Sequence, residues 1–124
     1  MSGELRGVVV GHGGLGQAMV SAAEEITGIR GVLVAVSNTG ADREVLEQRV
    51  VQAVGDQAGI VFVDMPSGSC LIAAMRKVAS RPDIRVVTGV NLVMLLEFLF
   101  HRTEPIDDAA RRAAESGAKS IAQR

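Results

Sequence analysis

A chain of 124 residues has the length of one domain, and 48% hydrophobic residues give it material for a real core. Thirteen basic against fourteen acidic side chains leave a formal charge of −1 with no basic run, which argues against a nucleic-acid platform or a polybasic membrane anchor. Three phenylalanines are the only aromatic residues, so base stacking has little to work with.

In chain order, no basic segment followed by an apolar stretch opens the sequence. The first predicted element is a strand over Arg6–Val10, followed by the glycine run Gly11-His12-Gly13-Gly14-Leu15-Gly16. A helix is predicted over Leu15–Thr27, with Met19, Ala22, Ala23 and Ile26 on one stripe. A second strand over Gly31–Ser37 leads to a helix over Asp42–Val54, capped by Asp42. On that helix Val45, Leu46, Arg49, Val50, Ala53 and Val54 recur at three- and four-residue spacings. A third strand, Gly59–Asp64, precedes a helix over Ser69–Ala79 with Leu71, Ile72, Met75 and Val78 inward. Its Cys70 is the single cysteine, which excludes an intrachain disulfide and a multi-cysteine metal site and fits a reducing compartment. A fourth strand, Ile84–Val87, is followed by the apolar helix Leu92–Phe100. Glu97 interrupts that helix, and it is far too short to cross a bilayer. Asp107–Ser116 reads as a final polar helix, and the tail Lys119–Arg124 reads equally as a frayed helix end or a short edge strand.

The strands are nearly continuous apolar runs, the pattern of strands covered on both faces. Alternating β and α segments then predict one doubly wound α/β domain over residues 1–124, with a mostly parallel four-stranded sheet and helices on both faces. No internal repeat, low-complexity tract or linker interrupts it. The expected setting is cytoplasmic, with no direct membrane insertion and no nucleic acid.

In such folds the chemistry sits at the C-terminal edge of the strands. His12 follows the first strand, Asp64 ends the third and Ser69 opens the next helix, so the fold can bring all three into one pocket. A carboxylate beside an imidazole takes the proton of one ring nitrogen and leaves the other nucleophilic. The Ser69 hydroxyl and the N–H groups of Gly13, Gly14, Gly68 and Ser69 are candidates to surround an anion. The loops show no second carboxylate and no metal triad, so neither a metal nor a cofactor is expected, and phosphorylation of a histidine suits the set better than hydrolysis.

Duller readings stand beside each residue. His12 can be incidental in a glycine turn and Asp64 can simply end a strand. Ser67 and Ser69 are turn and cap residues, Cys70 a small buried side chain, Asn91 a helix cap, and His101 a partner of a helix dipole. The run from Gly11 to Gly16 also satisfies G-x-G-x-x-G, the dinucleotide fingerprint. The acid that should end the second strand is missing, because that strand closes on Ser37-Asn38-Thr39.

Four segments stand out together in this order: Val9-Val10-Gly11-His12-Gly13, Ser21-Ala22 with Glu24, Phe62-Val63-Asp64 with Gly68-Ser69 and Ala73-Ala74, and Thr88-Gly89-Val90-Asn91-Leu92 with Met94-Leu95-Leu96-Glu97. On these segments, and over nearly its whole length, the chain resembles the enzyme IIA domain of the mannose class of the sugar phosphotransferase system. The resemblance implies a cytoplasmic homodimer whose apolar fourth helix is dimer surface and whose Ser120–Gln123 is a strand exchanged between subunits. It implies that His12 accepts a phosphoryl group from an HPr-like carrier and passes it to a IIB-type domain. Asp64 would orient that histidine and Ser69 would bond near the phosphoryl group. Pro66, Ser67 and Cys70 depart from the family's usual loop, and Gly11 stands where threonine is frequent. These departures surround the expected docking surface and leave open a regulatory component without a transporter. The alternatives are a non-catalytic dimeric regulatory module with this fold, the phosphotransfer subunit of dihydroxyacetone kinase, and a small dinucleotide-binding domain.

Overall fold

The computed structural model describes residues 3–124. Nine elements follow one another: β1 (Arg6–Gly11), α1 (Leu15–Thr27), β2 (Leu33–Ser37), α2 (Arg43–Val54), β3 (Gly59–Val63), α3 (Ser69–Val78), β4 (Ile84–Thr88), α4 (Leu92–Phe100) and α5 (Ile106–Lys119). The strands form one sheet in the order β2-β1-β3-β4, with every pairing parallel. The predicted α/β architecture is therefore the observed one.

Side chains of the central strands alternate between two buried layers, which is why their sequences read as continuous apolar runs. Val9, Ile60 and Phe62 face the layer covered by α1, α4 and α5. Val8, Val10, Val61 and Val63 face the layer covered by α2 and α3. Phe62 meets Phe98 of α4 edge-on, with ring centroids 5.4 Å apart and planes at 71°.

The inward faces of two helices differ from expectation. On α3 the buried residues are Cys70, Ala73 and Ala74, whereas Ile72 and Met75 are 43% and 49% exposed. Small side chains let α3 lie close to the sheet and to α2; Leu71 and Val78 pack partly buried against that layer as expected, and Ile72 and Met75 fall on the outer flank. On α1 the buried stripe is Gly16, Val20 and Ala23, and Ile26 is turned outward.

The apolar excess of α4 is largely consumed inside the chain. Met94, Leu95, Phe98 and Leu99 are buried, whereas Val93 and Phe100 remain exposed. α5 approaches α4 closely at Gly117, where a Cβ would run into the Met94 side chain. Asn91 caps α4 by accepting from the Met94 N–H at 3.1 Å, and its amide donates to the Gly117 carbonyl at 3.1 Å. Both halves of that amide serve packing. The C-terminal helix is longer than predicted, running to Lys119, and Ser120–Gln123 forms no strand within the chain.

The order of the strands places the site. β1 connects to β2 on one side, and the chain then crosses back to β3 on the other. The connections therefore diverge between the C-terminal ends of β1 and β3, the crevice where open parallel sheets bind their ligands.

Candidate functional site

At that crevice the loop after β1 carries His12 and the end of β3 carries Asp64. Their approach is fixed by the parallel register: Val10 pairs with Val63, and the Asp64 N–H continues the ladder by donating to the Val10 carbonyl at 3.2 Å. One Asp64 oxygen, Oδ2, then accepts twice from His12, from the backbone N–H at 3.0 Å and from Nδ1 at 2.7 Å. The first bond fixes where the residue sits and the second fixes the ring.

The two side chains differ in exposure, with His12 at 44% and Asp64 at 7%. Burial alone would push the Asp64 carboxyl up. The hydrogen bonds from the His12 ring and backbone, together with the charge of His12, outweigh it and hold the carboxyl below its ordinary range. An ionised Asp64 accepts the proton on Nδ1 and so leaves the lone pair on Nε2, on the far side of the ring. The result is a buried carboxylate beneath an exposed imidazole.

Asn38, at the end of β2, is a site residue that sequence reasoning passed over. Its Oδ1 accepts from the Gly13 N–H at 3.1 Å, holding the turn after His12. Gly13 has φ +59°, which favours glycine. Arg49 holds the Asn38 loop in turn, donating to the Ser37 and Thr39 carbonyls at 2.7 and 2.8 Å. This explains an arginine on the inward stripe of α2. The signal available in the sequence was an asparagine at a parallel strand's C-terminal end, level with a glycine-rich loop on the neighbouring strand.

The candidate anion donors divide. Gly13 spends its N–H on Asn38 and acts in the loop. Gly14 is the N-cap of α1 and Gly68 the N-cap of α3, and neither helix start has a side-chain cap. Two sets of first-turn N–H groups therefore carry no side-chain acceptor, with the positive ends of two helix dipoles behind them. Ser69 is the first residue inside α3, not its cap, and its hydroxyl bonds to neither His12 nor Asp64 among the described residues. It lines a groove of about 220 Å³ between α2 and α3 with Asn38, Arg43, Gly68 and Ile72. His12 stands outside that groove, on an open rim beside the exposed apolar side chains Leu15 and Met65.

Cys70 is fully buried, as expected of a small side chain. Burial and the charge of Asp64 push its thiol up, although a hydrogen bond with Ser69 works the other way. The first turn of α3 brings Sγ to 3.9 Å from His12 Nδ1. Nitrogen, carboxylate oxygen and sulfur lie within 4.8 Å of one another. His101, at the C-terminal end of α4, is elsewhere, with Glu97 at 3.2 Å from Nε2 and Glu104 at 2.5 Å from Nδ1. Carboxylates, more than a helix dipole, hold it.

Comparison with known proteins speaks to the family and the fold. The profile of the PTS system fructose IIA component, the EIIA-man family, matches residues 7–114. The phosphotransferase system component EIIA of Streptococcus agalactiae superposes with a TM-score of 0.89 at 24% identity, covering 96% of both chains. The mannose/sorbose specific IIA subunit of Enterococcus faecalis gives 0.86 at 19% identity, covering 98% of this chain and 96% of its own. A sigma-54 interaction domain protein of Enterococcus faecalis gives 0.80 at 14% identity, covering 97% of this chain and 95% of its own. At these identities the superpositions speak for the fold alone. No curated protein matches the chain significantly. The family profile spans the His12 loop, the Asp64 strand end and all four strands, and the chain accordingly belongs to the mannose-class IIA family of the phosphotransferase system.

Proposed function

We propose that the chain is a phosphohistidine carrier: His12 Nε2 accepts a phosphoryl group from a phosphorylated HPr-like protein and passes it to a IIB-type domain. The observation that carries this reading is the 2.7 Å contact of Asp64 with His12 Nδ1 beneath an exposed ring. The Nε2 lone pair attacks phosphorus, a new N–P bond forms, and the N–P bond to the donor histidine breaks. The proton on Nδ1 stays in its bond to Asp64, whose charge balances the electron demand placed on the ring. Exchange between two imidazoles needs positioning more than acid–base work. Gly14 and Gly68, with the first turns of α1 and α3, face the phosphoryl oxygens, Ser69 adds a hydroxyl, and Gly13 holds the loop.

An open rim suits protein partners. Leu15, Met65 and Ile72 supply apolar contact around it, and a sugar pocket is not required. We infer a cytoplasmic homodimer in which exposed Val93, Phe100 and the segment Ser120–Gln123 meet a second copy. A regulatory carrier without a transporter would use the same three side chains, His12, Asp64 and Ser69, and differ only in the acceptor.

Purified protein, phosphoenolpyruvate, enzyme I and a cognate HPr, followed by intact mass beside H12A, test the reading. An acid-labile phosphoryl adduct on the wild type and none on H12A is the expected result. No adduct on the wild type, with dimerisation intact, would favour the non-catalytic module.

A further inference from the structure

We propose that His12 Nδ1, the Asp64 carboxylate and Cys70 Sγ form a binding site for a thiophilic divalent cation of the Zn2+ class, and that its occupation blocks phosphoryl acceptance. The second half rests on the carrier reading; the first does not.

Three elements contribute one ligand each: the end of β1, the end of β3 and the first turn of α3. Their donor atoms lie within 4.8 Å of one another, and Sγ to Nδ1 is 3.9 Å. Tetrahedral zinc, with bonds of about 2.0–2.1 Å to nitrogen and about 2.3 Å to sulfur, holds those two atoms roughly 3.5 Å apart. Closing the site therefore needs shifts of only a few tenths of an ångström on that edge. A separate observation points the same way. The Asp64 side chain is 93% buried, yet its Oδ1 is a buried oxygen with no hydrogen-bond partner among the described residues. A buried carboxylate with an unpaired oxygen, grouped with a thiol and an imidazole, is a donor set that suits a thiophilic cation.

Binding balances as follows. Cys70 releases its thiol proton to solvent as the sulfur–metal bond forms. The Nδ1 lone pair goes to the metal, so the one proton of the neutral imidazole resides on Nε2. One proton is released in all, and thiolate and carboxylate neutralise the two positive charges. Nε2 then has no lone pair with which to attack phosphorus. Metal and phosphoryl group exclude one another at the same ring.

The test begins without any phosphodonor. Zn2+ is titrated against a chromophoric chelator, and Co2+ serves as a spectroscopic substitute, in wild type, C70S, C70A and H12A. One metal per chain is expected, with a thiolate-to-cobalt charge-transfer band that both Cys70 variants lose. Removing an outer partner of a ligand already weakens a metal site by 10–100-fold, so each variant should bind at least about 100-fold more weakly. Thermal melts establish which variants are folded, and H12A, at an exposed position, covers the case in which the Cys70 variants are not. No stoichiometric binding, or binding unchanged in C70A and H12A, overturns the site. The second arm uses HPr phosphorylated beforehand, so that Zn2+ meets the transfer step alone. Zn2+ should abolish acceptance by wild type, reversibly on chelation, and leave the rate ratio with and without metal near one in C70A. Binding without inhibition overturns the blocking half. Binding by a protein that never accepts phosphate overturns the carrier reading and leaves the metal site standing.

Discussion

The two histidines of this chain sit in opposite versions of one environment. Each has a carboxylate oxygen against Nδ1, Asp64 for His12 and Glu104 for His101. At His101 a second carboxylate, Glu97, lies 3.2 Å from Nε2, and Arg112 ties down Glu104 from α5 at 3.3 Å. His101 is a clasp between α4 and α5 with both nitrogens engaged. His12 has one nitrogen engaged and the other open. One carboxylate orients an imidazole and leaves it reactive; two convert it into a structural tie.

The largest effect that separates them is a contrast of deletions. H12A is expected to lose phosphoryl acceptance entirely and to melt within a few degrees of wild type, because the side chain is exposed. H101A is expected to accept at a rate within about twofold of wild type and to lose about 1 kcal/mol or less of stability, since its contacts are partly exposed. Intact-mass time courses and denaturant titrations of the pair measure both; normal acceptance by H12A would misplace the site.

Breaking the orienting contact comes next. D64N keeps the shape and removes the charge that fixes the ring, so transfer should slow on the order of 100-fold while His12 remains the labelled residue. An equal rate in D64N would mean that the 2.7 Å contact has no part in the reaction. A smaller loss, about 10-fold, is expected for N38A, which frees the Gly13 turn one step further from the ring; restoration by N38D would identify the hydrogen bond as the cause.

The smallest effect is on stability and concerns acid. Asp64 has a folded pKa below its ordinary 3.8. Its contribution is therefore complete above that value and is lost as pH falls through the lower folded value. Wild type should lose more stability than D64N between about pH 5 and about pH 2, read as the difference between their urea midpoints. Equal slopes would show that the carboxylate gains nothing from His12.

Much of this was legible beforehand, for reasons that differ by element. α1 and α4 begin and end where the sequence places them, because a glycine run and a capping asparagine mark their starts. The convergence of His12 and Asp64 on one edge follows from alternating β and α, but their direct contact requires β1 beside β3. Strand order is set by packing between elements remote in sequence, and no local pattern encodes it. α3 misleads for another reason: hydrophobicity points to Ile72 and Met75, whereas packing selects the small Cys70, Ala73 and Ala74 that allow close approach. Asn38 and Cys70 acquire their places through tertiary neighbours alone. At the C-terminus, the strand that the resemblance implies needs a second copy to pair with.

The ladder step in which the Asp64 N–H reaches the Val10 carbonyl has a practical meaning. His12 and Asp64 are 52 positions apart, and a full crossover through β2 separates them. A slip of one residue between β1 and β3 would carry the carboxylate about 3.3 Å along the strand and turn it to the opposite face. On the proposed carrier reading, phosphate incorporated at His12 would count molecules whose central strands are in register. In a cell extract or a refolding mixture, it would serve as a chemical tally of correctly assembled sheet, blind to chains that are merely compact.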